Sequence, residues 1–230
     1  MAEVSHGISA GPAASIIVLR DEIPSPRSRI KSGGLWTAAC NVGLAVFFFS
    51  GILRGAFAPT HSLADVIWMV GAALMGLFAL VRVAPKAELV TFATLSATGG
   101  MMLIPILLRA APGPHGLLYR GGEAVQLAGI LISQISRIYL GRSFGLLPAN
   151  RGVVSRGPFR LVRHPVYLGW LVLIIGFTMA NPGSRNVLVA IAILPFMFAR
   201  IEQEETLLQA DPEYRSYSAL TPHRLLPGLF

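Results

Sequence analysis

Apolar residues run through this chain in blocks of about 20, the length that carries an α-helix across a hydrocarbon core. Leu35 to Leu53 is one such block, closed by Arg54, and Leu63 to Val81 is a second, closed by Arg82. Leu89 to Leu108 is a third, ending at Arg109, with Pro105 placed to kink its last turn. Glu123 to Leu140 has the right length but is more polar. Tyr167 to Ala180 and Asn186 to Ala199 are short, and Asn181-Pro182-Gly183-Ser184 between them is a strong turn signal. The pattern predicts an all-α, polytopic helical membrane protein of about five to six membrane segments. Its last two form a C-terminal helical hairpin over 167–199, tilted or not fully spanning.

The fourth block differs in kind. At about 100° per residue, Glu123, Gln126, Ser133, Gln134 and Arg137 fall within an arc of roughly 100°. Polar groups in lipid are costly, so this stripe faces other helices or a cavity. Hydrogen bonding between helices and the wall of a substrate chamber both satisfy that demand. In the second case Gln134 and Arg137, nearest the end of the helix, are the candidate substrate-binding residues.

Composition changes the picture little but sharpens it. The chain has 230 residues, 53% hydrophobic and 13% charged, where a soluble domain carries about 25% charged residues. The apolar blocks follow one another too closely for a soluble domain to fit between them. Net charge is +8, and the basic residues sit in short stretches between apolar blocks, which suits an anionic membrane surface rather than nucleic acid. With an N-terminus inside and six alternating segments, fourteen lysines and arginines lie inside against four outside, with Arg137 within a span. Both termini are therefore expected to be cytoplasmic, and a bacterial inner membrane is the expected location. Cys40 stands alone, so no disulfide framework or cysteine metal site can form within one chain. Residues 1–34 read as a flexible cytoplasmic tail without a signal peptide. The span at 35–53 would serve as the insertion signal, and residues 35–141 hold four transmembrane helices.

The chemistry is concentrated near the C-terminus. Gly141 to Gly169 reads GRSFGLLPANRGVVSRGPFRLVRHPVYLG, a basic, turn-rich connector that leads into the hairpin. Arg200-Ile-Glu-Gln-Glu-Glu follows the hairpin, then Tyr214, Tyr217 and Pro222-His-Arg-Leu-Leu-Pro. A hairpin would bring Arg163, His164 and Tyr167 to Arg200, Glu204 and Glu205. Helical spacing puts Arg200 and Glu204 on one face, with Glu205 close by. Three carboxylates in four residues at the mouth of an apolar hairpin are expensive unless cations meet them. Arg163, His164 and Arg200 can do so, as can a ligand carrying an amino group and a sulfonium. Singly, each of these residues suits an interfacial anchor, and His6, His61 and His115 read as structural. Anchors, however, do not require this order and spacing around a turn-linked pair.

The stretch GPFRLVRHPVYLG, the hairpin, then RIEQEETLL, EYRSY and HRLLP resembles the isoprenylcysteine carboxyl methyltransferase family, within a broader group that includes membrane phospholipid methyltransferases. The resemblance covers residues 140–230. It implies that 142–230 is a methyltransferase catalytic region of connector, hairpin and C-terminal cofactor-binding cap. It implies an S-adenosylmethionine site at the cytoplasmic end, contacted by Arg163, His164, Tyr167, Gly169 and Glu204, with the backbone of Leu161 and Val162 near the adenosine. Arg200 and Glu205 match the family's catalytic pair, and Tyr214, Tyr217 and Arg224 match its cap. Asp211-Pro212 replaces the glycine that often precedes the family's Glu-Tyr, so a changed turn is expected there.

Methyl transfer from a sulfonium needs proximity, alignment and removal of water. No metal is needed, and no His/Cys/Asp cluster suggests one. A lipophilic or prenylated carboxylate acceptor would need a docking cation, Arg200 held by Glu205, and no general base. An amine acceptor, as in a phospholipid N-methyltransferase, would need Glu205 or His164 as base. A sterol-reductase-like NADPH enzyme is a further alternative, disfavoured by the paired glutamates. So is a non-enzymatic transporter or assembly protein, for which no internal repeat is found.

Overall fold

The computed structural model describes residues 63–81, 83, 85–109, 116–226 and 228, together with helical residues 42, 43, 45, 46 and 49. The expected tail at 1–34, and the expected span at 35–53 apart from those five positions, lie outside the described residues. Helix α1 (Leu63–Val81) coincides with the second apolar block. A two-residue strand β1 (Ala87–Glu88) follows, then α2 (Phe92–Leu103), which opens on a capping box made by Thr91 and Thr94. At Pro105 the α-helix gives way to a 3-10 turn over Ile104–Leu107, because proline supplies no N–H to continue the ladder. Helix α3 (Leu117–Leu140) begins six residues before the expected start. Strand β2 (Ala149–Asn150) pairs antiparallel with β1, Ala87 opposite Asn150. Then come α4 (Pro165–Ala180), α5 (Ser184–Leu208) and α6 (Pro212–Leu220).

Two expectations are corrected here. The second arm of the hairpin does not stop at 199. It runs 25 residues to Leu208, and the Arg-x-x-x-Glu-Glu motif is its last two turns. The arms are joined by the short turn at Asn181–Gly183, yet they pack only lightly on each other. α4 packs chiefly on α3, and α5 on α2.

Glycines set the α3–α4 contact. A Cβ at Gly122 would overlap the backbone of Ala180, and one at Gly129 the backbone of Leu173. Reciprocally, Gly169 lies on Ser133 and Gly176 on Gln126. The two helices run antiparallel with their main chains in contact, as small residues permit between membrane helices. The other small-residue runs are filled from within the chain: the Gln134 carboxamide sits on Gly71, and the Phe196 ring on Gly100.

Outward faces are apolar. Val66, Val70, Leu77 and Leu80 on α1, Leu131, Ile135 and Ile138 on α3, and Leu188, Ile191 and Phe198 on α5 are all exposed. An apolar surface of this extent suits lipid rather than water. α3 with its 3-10 extension and α5 are each long and apolar enough to cross a membrane. Inside, Met101 of α2 meets Met197 and Ile201 of α5, together with Tyr167 and Leu225. At the end of the bundle away from the Arg-His-Pro motif, the Asn186 side chain receives Arg109 N at 3.0 Å and donates to Arg109 O at 2.9 Å and Asn181 O at 2.7 Å, closing the α4–α5 turn onto the end of α2.

Candidate active site

The N-terminus of α4 and the C-terminal turns of α5 meet at one end of the bundle. His164 precedes the first helical residue, Pro165, which tolerates that position because the first turn leaves its N–H groups unpaired. The C-terminal segment lies alongside: Arg163 N donates to His223 O at 2.9 Å and His164 N to Arg224 O at 2.8 Å. Arg163 also fastens that segment through its side chain, giving Nη1 to Thr221 O at 2.9 Å and Pro222 O at 2.8 Å.

Glu205 is the hub of the buried network. One carboxylate oxygen, Oε1, accepts from Arg163 Nε at 2.9 Å and from Tyr214 Oη at 2.7 Å, and lies 2.6 Å from His164 Nε2. Glu204, one residue earlier and about 100° around the helix, faces a different set. It accepts Tyr167 Oη at 2.9 Å and pairs with Arg200 Nη2 at 3.0 Å, and its other oxygen is 3.7 Å from His164 Nδ1. Arg200 Nη2 also donates to Leu146 O in the connector. The holder of Arg200 is therefore Glu204, at i+4, and not Glu205 as the sequence reading had it. Glu202 takes the third cation, Arg224 Nη1, at 2.7 Å. Burial raises the Tyr214 phenol well above its ordinary range, reinforced by Glu205, and pushes Tyr217 up to about 12. Both phenols are neutral donors, Tyr217 to Phe159 O at 2.6 Å.

A cavity of about 570 Å³ opens beside this network, within the usual range for a small-molecule site. Its polar end is lined by Arg137, Arg163, His164, Tyr167, Arg200, Glu204 and Tyr214, and its apolar part by Met101, Met102, Pro105, Ile106, Trp170, Leu173 and Ile174. The wall follows α4 from His164 to Ile174, about 15 Å at 1.5 Å per residue.

Residues 127–210, from mid-α3 through the motif turns of α5, match the family model for isoprenylcysteine carboxyl methyltransferases. The chain contains an isoprenylcysteine carboxyl methyltransferase family domain. Protein-S-isoprenylcysteine O-methyltransferase A of Arabidopsis thaliana is 32% identical over 113 residues, 46% of this chain and 57% of that protein. The chain thus spans a little over half the length of that relative.

The structure distributes the expected site residues unevenly. Arg137, Gln134, Arg163, His164, Tyr167, Arg200, Glu204 and Tyr214 line the cavity. Glu205, Leu161, Val162, Gly169 and Arg224 are not in its wall, each for a visible reason. Glu205 is covered by Arg163, His164 and Tyr214. Leu161 points outward, 71% exposed, and Val162 is core. Gly169 faces α3, and Arg224 reaches Glu202. The sequence reading missed Trp170 and Ile174, which follow Tyr167 at helical spacing on the same face. It also missed the connector's grip on α6, where Asn150 Nδ2 donates to Asp211 at 2.7 Å. Asp211 caps α6 by accepting Glu213 N at 3.0 Å, with Pro212 in the first turn, which explains how Asp-Pro is accommodated there.

Proposed function

We propose that this chain is an integral membrane, multi-pass methyltransferase that uses S-adenosylmethionine to methylate a lipophilic carboxylate, with both termini and the 142–230 catalytic region on the cytoplasmic side. The observation that carries this reading is the meeting of Arg163, His164 and Tyr167 with Arg200 and Glu204 at the polar end of a cavity that continues between apolar helix faces. The family domain and the positive charge of the connecting segments support it.

The donor set fits the cofactor. Glu204 is a carboxylate in the cavity wall, suited to an ammonium or sulfonium, and the His164 and Tyr167 rings stand 5.8 Å apart beside it. Arg200 Nη1 is buried without a hydrogen-bond partner among the described residues, which leaves a donor for an anionic group. S-adenosylmethionine, when bound, supplies a methyl group open to in-line displacement. His164, Tyr167 and Glu204 would hold it, and Arg200 would dock the acceptor carboxylate without giving up a proton to it. Glu204 fixes the guanidinium plane, and the apolar stretch from Trp170 to Ile174 keeps water from the acceptor.

A carboxylate is favoured over an amine because an amine needs a base to take its proton. The two candidates, Glu205 and His164, are engaged with one another at 2.6 Å, and Glu205 lies behind the cavity wall. The test is radiolabelled methyl transfer from S-adenosylmethionine into a farnesylcysteine analogue and, separately, into a membrane lipid extract. Base-labile label in the analogue is expected. Label confined to base-stable amine product would reverse the choice of acceptor, and no binding of S-adenosylhomocysteine would end the reading altogether.

A further inference from the structure

The cavity carries more positive than negative charge, and one of its cations has no counter-ion among the described residues. Arg200 is paired with Glu204, Arg163 with Glu205, and Arg151 with Glu88 at 3.6 Å. Arg137 also lines the cavity, but among the described residues no carboxylate lies within ion-pair distance of it. Among the described residues its side-chain hydrogen bond is to a neutral group, Nη1 to Gln134 Oε1 at 3.4 Å, and its Nε is buried without a hydrogen-bond partner. Arg137 as a whole is half-buried; a guanidinium stays charged in a protein interior, and a charge withdrawn from water without a partner is costly. Such a group is retained where a ligand completes it.

The support behind Arg137 is itself built. Gln134 fits because α1 has glycine at position 71, and the carboxamide occupies the space where any other residue would place its Cβ. Ser133, next to Gln134, presents a buried hydroxyl that also lacks a protein partner. Ser133 and Arg137, one turn apart on α3, thus each hold an unused donor in residues that line the cavity, with Gln134 bracing Arg137.

We propose that Arg137 is a specificity-determining residue: its guanidinium takes the acceptor's anionic group from the α3 side while Arg200 meets it from α5, so the site selects lipophilic carboxylates over neutral or cationic lipids of the same shape. This rests on the methyltransferase reading above. A fork of planar N–H donors suits a carboxylate. Two cations against one paired glutamate repel an ammonium acceptor.

The test uses the full chain in detergent or lipid nanodiscs. Two inhibition constants are compared, for a farnesylcysteine-type carboxylate and for its carboxamide, alongside the affinity for S-adenosylhomocysteine measured calorimetrically. In the unaltered protein the carboxylate should bind at least tenfold better than the carboxamide. Arg137→Gln should lower that ratio fivefold or more while S-adenosylhomocysteine binds within about twofold of normal. An unchanged ratio overturns the proposal, and so does loss of S-adenosylhomocysteine affinity with the ratio intact, which would assign Arg137 to the cofactor. If the glutamine variant does not fold, Arg137→Lys decides: the ammonium keeps the charge but lacks the fork, so the ratio should fall, and a ratio equal to the parent's sinks the idea. Failure of the unaltered protein to bind S-adenosylhomocysteine would instead count against the methyltransferase reading, so the two failures are distinct.

Discussion

Tyr214 Oη and Arg163 Nε converge on the same oxygen of Glu205, at 2.7 and 2.9 Å, although one donor lies nine residues ahead of the glutamate and the other 42 behind it. That single oxygen joins the C-terminal helix to the start of α4. His164 Nε2 completes the cluster at 2.6 Å. Glu205 therefore acts as a brace, and the residue facing the cavity is its neighbour, Glu204.

Replacing the brace should cost stability before it costs chemistry. Glu205→Gln leaves Arg163 buried without its anion, a loss of about 3–5 kcal/mol by the usual cost of breaking a buried ion pair. Thermal unfolding in detergent should register it, with limited proteolysis cutting more readily beyond position 210. Tyr214→Phe removes one neutral donor and should cost about 1–2 kcal/mol. Equal melting temperatures for the parent and Glu205→Gln would remove Glu205 from this role.

Arg200 and Glu204 should behave in the opposite way. Arg200→Lys keeps the charge but gives up the planar guanidinium whose Nη2 meets both Glu204 and Leu146 O. Methyl transfer should drop by on the order of 100-fold, the scale of losing one preorganised charge-stabilising donor. S-adenosylhomocysteine binding should change by only a few fold. Transfer at the parental rate would contradict the docking role given to Arg200.

The glycines of α2, α3 and α4 allow a paired comparison. Gly129→Ala and Gly176→Ala push a methyl group into the backbone of the facing helix, and overpacking of this sort typically costs about 1–3 kcal/mol. Gly121→Ala and Gly99→Ala meet nothing within 4 Å and should be neutral or stabilising by up to about 1 kcal/mol from helix propensity. Melting temperatures of the four variants decide it, and the prediction fails if the two pairs shift alike.

Asp211 gives a dependence on pH. The hydrogen bond from Asn150, and then that from Glu213 N, hold its carboxyl below the ordinary value of 3.8. The folded value lies below the unfolded one, so its contribution to the α6 cap is complete above roughly pH 4. It is lost as pH falls through the folded value. Asp211→Asn should flatten that acid limb. Hydrogen exchange of the Glu213 amide from about pH 5 down to about pH 2 measures it, and identical profiles for parent and variant would contradict the assignment.

Much of this was legible from residue order. The second apolar block and α1 share both ends, and the Asn-Pro-Gly-Ser turn falls where α4 gives way to α5. Contact between the region of His164 and that of Glu205 followed from that turn. Hydropathy ended the last helix at Ala199 because the charged turns beyond it no longer look like membrane. The backbone nonetheless continues through Arg200 to Leu208, since those turns are satisfied by cations brought from elsewhere in the chain. Spacing of four already paired Arg200 with Glu204, and the resemblance drew attention to Glu205 instead. Strands of two residues leave no periodicity to read. Which helices touch was hidden too, because the glycines that decide it carry no side chain and so add little to any apolar or polar pattern.

The glycine seam has a mechanical consequence. Two helices in main-chain contact along their length cannot slide or tilt apart without parting everywhere at once, so α3 and α4 move as one body. Arg137 and His164 ride on that body together, which keeps one wall of the chamber at fixed spacing. Breathing of the chamber is then left to the elements packed around that body, among them α2, which lines it with Met101 and Met102, pliant side chains rather than backbone.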